Sequence, residues 1–196
     1  DANLNFVMKF GKKDNLYTSV TVGYAPTPRS SGVSPNDGNT KPYRSREHYI
    51  GWRPTPAWGV YAGMMDKTFG IRIVDHTAYS RSTTGLSMND QTHGLLIHYT
   101  NKKFEIGVHP FVGNLAQDAK LRQAGFSTQF EYTLNQKNRV GLSFLNSKSE
   151  YLQMTMMAGH SRMAFGKGHS LMVEAGALTK TELIPGDEVT SQYILM

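Results

Sequence analysis

Seven histidines are the residues of this chain best suited to acid–base chemistry near neutral pH. His160 stands beside Ser161 and Asp75 beside His76, residue types that serve a nucleophile and its base or a proton relay. Neighbours on an extended strand point to opposite faces, so His160 and Ser161 share a site only across a bulge. The outward apolar positions give a bulge some support, because they switch parity from Met154 and Met156 to Met163 and Phe165. His98 falls opposite Glu105 if Asn101 and Lys102 form a two-residue turn that sets Tyr99 against Phe104. The simplest reading is a cross-strand pair worth about 0.2–1 kcal/mol, with a proton relay or metal ligand as the alternative. "GKGHS" (166–170) lacks the upstream glycine and the Lys-Ser/Thr order of a phosphate loop and reads as a turn. No catalytic residue, metal or cofactor is therefore expected, and the chain is read as not an enzyme.

The elements that must position these groups are strands. "HYTNKKFEIGVHPF" (98–111) sets Tyr99, Phe104, Ile106 and Val108 on one face and His98, Glu105, Gly107 and His109 on the other. That alternation marks a hairpin with one dry and one wet side. Residues 3–10 and 16–24 repeat it, as do runs near 47–52, 58–65, 93–100, 103–112, 122–134, 139–146, 150–165, 170–180 and 189–196. About eleven strands result, several of the ~9–11 residues that cross a bilayer at a tilt. Tight turns at 11–15, 53–57, 101–102, 135–139 and 166–170 alternate with connections that are usually longer, near 25–46, 66–91, 113–121 and 181–188. The 196 residues are read as a single domain.

The dry side could face a protein core or lipid. There is no cysteine, so no disulfide or thiolate site is available. No apolar run approaches the ~20 residues of a spanning helix. Of the ten apolar residues flanking the tight turns, six are aromatic: Phe10, Trp52, Trp58, Tyr99, Phe104 and Phe165, with Tyr132 one outward position back. A dry core has no reason to sort aromatics to one end, whereas an interfacial girdle requires it. The opposite face carries Lys9, His98, Glu105, His109, Glu131 and Glu174 among Gly, Ser and Thr. Water in a lumen accepts such charges and lipid penalises them. An all-β, antiparallel transmembrane β-barrel follows, with those six residues lining the lumen.

With these features the sequence resembles a Gram-negative outer-membrane β-barrel of the porin type. The resemblance implies an outer-membrane location, tight turns on the periplasmic side and long loops outside. "GMMDKTFGIRIVDHTAYSR" (63–81) resembles the strand-to-loop passage of outer-membrane porins whose loop folds inward. Outer-membrane phospholipases and proteases place His, Ser or Asp near the outer rim, which keeps a hydrolase as one alternative. A non-conducting barrel that sheathes or anchors an envelope complex is another.

The formal charge of +6 is concentrated in the tight turns. Lys12, Lys13, Arg53, Lys102, Lys137, Arg139 and Lys167, with Lys103 adjoining, face one acid there, Asp14, and the rest of the chain carries a balance of −1. Such a rim suits lipid phosphates or a periplasmic partner and argues against nucleic acid. The expected function is passive diffusion of small hydrophilic solutes. Membrane lipid or lipopolysaccharide and a homo-oligomer or envelope partner are the expected contacts. Lys9, His98, Glu105, His109, Glu131 and Glu174 should face inward, and Trp52 and Trp58 should face each other across "RPTPA". An odd strand count and a last strand without a terminal aromatic suggest an interior portion of a larger, even-stranded barrel. The competing account makes Asp1 a mature N-terminus left by signal-peptide cleavage.

Overall fold

The computed structural model of the chain describes residues 2–11, 14–24, 43–71, 84–86, 90–166, 168–183 and 188–195. Eleven strands are present: β1 Ala2–Phe10, β2 Leu16–Tyr24, β3 Tyr43–Trp52, β4 Trp58–Met65, β5 Thr92–Thr100, β6 Phe104–Phe111, β7 Ala124–Asn135, β8 Asn138–Lys148, β9 Leu152–Phe165, β10 His169–Glu182 and β11 Glu188–Leu195. They form one antiparallel sheet in chain order. Among the described residues no ladder joins β1 to β11, so each has a single neighbour and the sheet is not closed.

The sheet is polar within and apolar without. Ser127, Glu131, Ser143, Ser147 and Glu174 are buried, whereas Leu142 and Met157 are 67% and 62% exposed. Water would favour the reverse, so the apolar outer wall is the strongest physical sign of a lipid environment. Phe6, Val20, Ile97 and Phe130 are exposed on that wall.

Two registers differ from expectation. Tyr99 pairs with Ile106 and Thr100 with Glu105, because Asn101 Oδ1 accepts the N–H groups of Lys103 (2.7 Å) and Phe104 (2.9 Å) and so widens the turn. Trp52 pairs with Val60 and Trp58 with Tyr99, so the two tryptophans do not face each other across the turn, although both are exposed.

The parity switch in β9 does not occur. Its ladders with β8 and β10 run unbroken, and Met154, Met156, Ala158 and His160 all lie on the buried face. Met154 and Met156 therefore point inward, not outward, while Met157 and Phe165 are outside. The physical reason is an apolar side chain delivered to the interior from elsewhere in the chain.

Candidate functional site

That side chain is Phe69. Beyond β4 the chain turns into the space enclosed by the sheet, and residues 67–71 are all buried. Phe69 fits a socket of Leu145, Met154, Met156, Ala158 and Leu178 on β8, β9 and β10, far around the sheet from the strand it leaves. The Gly70 N–H donates to Ser143 Oγ (2.9 Å), and the Ile71 N–H donates to Glu174 Oε2. Gly70 has φ +58°, and a Cβ there would meet the Glu174 carboxylate, so this position needs glycine for both conformation and space. On the way across, the Thr68 methyl lies over Gly107 of β6, where a Cβ would come within 2.7 Å of it. Lys67 Nζ donates to the carbonyls of Gly85 and Asp90, both at 2.9 Å, and lies 5.9 Å from the centroid of the Phe111 ring. Burial pushes the Lys67 amine below the usual lysine range, opposed by the carboxylates of Asp90 and Asp66. The segment is thus fixed at both ends and spans the interior.

Beneath it runs a row of charges. The registers align Glu105, Glu131, Gly141, His160 and Glu174 across β6 to β10. Two glutamates directly opposite each other repel. Arg139 Nη1 lies 3.8 Å from a carboxylate oxygen of each, and Arg162 Nη2 lies 2.9 Å from Glu131. Gln129 Nε2 donates to Glu131 at 2.9 Å. The His160 Nε2–H donates to Glu131 Oε1 at 3.1 Å, reaching across β8. It can do so because residue 141 is glycine, where a Cβ would fall 2.3 Å from His160 Nε2. His98 Nε2–H donates to Glu105 at 2.8 Å, one register step away from direct opposition.

A third feature lies toward β2–β5. Tyr17, Tyr49 and Tyr61 make edge contacts with one another at 5.8–6.2 Å between centroids. Together with Glu47, Met65, Asp66, Leu96 and His98 they border a cavity of about 240 Å³ beside the root of the inward segment.

Of the residues singled out from sequence, His98, Glu105 and Glu131 come together in the charged row. Glu174 lies at its end and binds the inward segment. His109 is buried above the row against Phe111, over Gly94. Lys9 is exposed on β1, opposite Tyr17. On the other face, Phe10, Trp52, Trp58, Tyr132 and Phe165 are exposed, and Trp58, Tyr99 and Phe104 are in ring contact at 4.8 and 5.6 Å. Arg139, counted among the rim turns from sequence, belongs to β8 and to the interior row. Sequence reasoning also passed over Arg162 and the His160–Glu131 pair. The unbroken even-numbered alternation from Met154 to Arg162 would have found them. The Asp75–His76 pair lies outside the described residues.

No family model matches the sequence, and no curated protein matches it. Among solved structures the chain is similar to OmpT with loop L8 deleted, an outer membrane protein of Vibrio cholerae, at 10% identity. The match has a TM-score of 0.54 and covers 98% of this chain and 77% of that one. The fold is therefore that of an outer-membrane β-barrel protein. The expectation that the chain is not an enzyme is corrected: the shared fold excludes no chemistry, and the interior holds a buried histidine–carboxylate pair that the argument from His160 and Ser161 overlooked.

Proposed function

We propose that the chain forms the wall of a channel in the outer membrane of a Gram-negative bacterium, through which small hydrophilic solutes diffuse passively. The observation that carries this reading is the inward segment, held at Phe69, Gly70 and Lys67 so that it narrows a space with a charged and hydroxyl-rich lining. Selection would follow from width and from the alternating charges of Glu105, Arg139, Glu131 and Arg162. The exposed apolar wall with its aromatic ends would meet membrane lipid and lipopolysaccharide. Purified protein in a planar bilayer should give stepwise ohmic conductance. Silence from protein with β-type circular dichroism and heat-modifiable migration would defeat the channel reading and leave the sheath or scaffold.

A second reading, outer-membrane hydrolysis, rests on His160. With its Nε2–H on Glu131, the imidazole keeps a lone pair on Nδ1, oriented by a carboxylate as a general base is; that nitrogen is buried, so catalysis would require the interior to open around it. Release of fatty acid or peptide by purified protein, abolished in His160→Gln, would establish it.

A further inference from the structure

On the outer wall, at the end of the sheet away from the short turns, His48, Met64 and His93 stand in one row across β3, β4 and β5. The two imidazoles meet at 5.1 Å between centroids, with Nε2 3.2 Å from Nε2. Each ring is also held at its other nitrogen. The Leu115 backbone N–H donates to His93 Nδ1 at 3.2 Å, and His48 Nδ1 lies 2.8 Å from Ser45 Oγ.

This row fixes the protons. A backbone N–H is only ever a donor, so His93 Nδ1 must be bare and its proton must sit on Nε2. That N–H donates to His48 Nε2, which must also be bare, so His48 carries its proton on Nδ1 and donates to Ser45. One pair of neutral tautomers satisfies the whole chain. A proton added to His93 sets Nδ1–H against the Leu115 N–H, and one added to His48 sets two N–H groups against each other.

We infer that His48 and His93 form a proton-sensitive latch that ties the connection between β6 and β7 to the outer wall near neutral pH and releases it on acidification. The far part of the connection is held separately, with the Lys120 carbonyl accepting the Glu150 N–H (3.1 Å) and Lys120 Nζ 3.4 Å from the Glu150 carboxylate, so the unit that the latch holds is residues 112–118. Arg122 gathers it by donating to the carbonyls of Gln117 (3.0 Å) and Leu115 (3.1 Å), and Asn114 Oδ1 accepts the Ala116 N–H (3.0 Å). Beside the bond to His93 Nδ1, it meets β5 through the backbone bonds of His93 and Val112 at the end of the ladder. The groups facing the histidines are Ser45 on β3, Met64 on β4, Val20 on β2, and Leu115 and Gly113 of the connection. Among the described residues, apart from the two rings, the charged group that bears on the row is Arg122 of the connection.

The latch is tested on the full chain in detergent micelles by amide hydrogen exchange of residues 112–118 and by ¹⁵N spectra of the imidazoles. At pH 7.5 the spectra should show both rings neutral, His93 as the Nε2–H and His48 as the Nδ1–H tautomer. Below the titration midpoint, exchange at Leu115 should rise by about tenfold per pH unit beyond the intrinsic chemistry. In His93→Asn, whose Oδ1 is an acceptor for the Leu115 N–H that does not titrate, the acid step should disappear. A charged imidazole at pH 7.5, the opposite tautomer of His93, an acid step retained in His93→Asn, or Zn²⁺-dependent protection of residues 112–118 would each overturn the inference. The ¹⁵N measurement needs no variant, so a misfolded substitution leaves the test intact.

Discussion

Glu131 holds Gln129, His160, Arg162 and Arg139 around one buried carboxylate. It reaches His160 only because the intervening residue on β8 is Gly141. Gly141→Ala should push the imidazole off its partner and destabilise the fold by about 1–3 kcal/mol, the usual cost of overpacking. Gly159 on β9 is the control: it is exposed, and a Cβ there meets only Leu142 Cδ2 at 3.8 Å and the Gly141 carbonyl at 4.0 Å. Denaturant unfolding in detergent should therefore separate Gly141→Ala from a near-neutral Gly159→Ala. Equal midpoints would mean that the His160–Glu131 contact does not depend on the missing side chain.

The inward segment is the element on which the interior depends. Phe69 brings the largest apolar side chain into its socket, and Phe69→Ala should weaken docking by about 3–5 kcal/mol. The sheet does not need that ring, so the expected outcome is local: faster amide exchange at residues 66–71 and larger, noisier conductance steps, with β-type circular dichroism unchanged. Gly70→Ala should do the same through backbone strain, since a non-glycine residue at positive φ costs about 1–3 kcal/mol. Lys67 adds a pH dependence of known sign. Its docked pKa lies below that of a free lysine, so undocking takes up a proton in the window between the docked and the ordinary value near 10.4. The penalty for holding the charged amine is full below the docked pKa and is relieved as pH rises through it. A neutral amine still has two N–H groups for the carbonyls of Gly85 and Asp90. Channel noise should therefore fall as pH rises through the alkaline range, and Lys67→Met should flatten that profile.

For the whole molecule, the apolar exterior makes a depth-dependent prediction. Leu142 lies near the middle of β8 and Leu134 near the turn end of β7, and both are exposed on the outer wall. Leu142→Arg should cost about 2–4 kcal/mol of folding in lipid, and Leu134→Arg about 0–1 kcal/mol. Folding titrations into vesicles measure both. Equal costs at the two depths would contradict a bilayer around this face.

The period-2 pattern is a local property of the chain, and it alone determined that the fold is an antiparallel sheet of about eleven strands, with bounds such as Trp58–Met65, and which face of most strands is polar. It also sorted the aromatics to the short-turn ends. Hydrophobicity at one position says that a side chain leaves water, not where it goes. Met154 and Met156 read as lipid-facing for that reason, and only the path of residues 66–71 turned them into a socket for Phe69. His98 and Glu105 were paired from sequence although their register was not, because Asn101 reshaped the turn while two long side chains spanned the offset. The His160–Glu131 contact joins residues 29 apart in sequence across a third strand and requires Gly141 between them, so it exists only once β7, β8 and β9 are laid side by side.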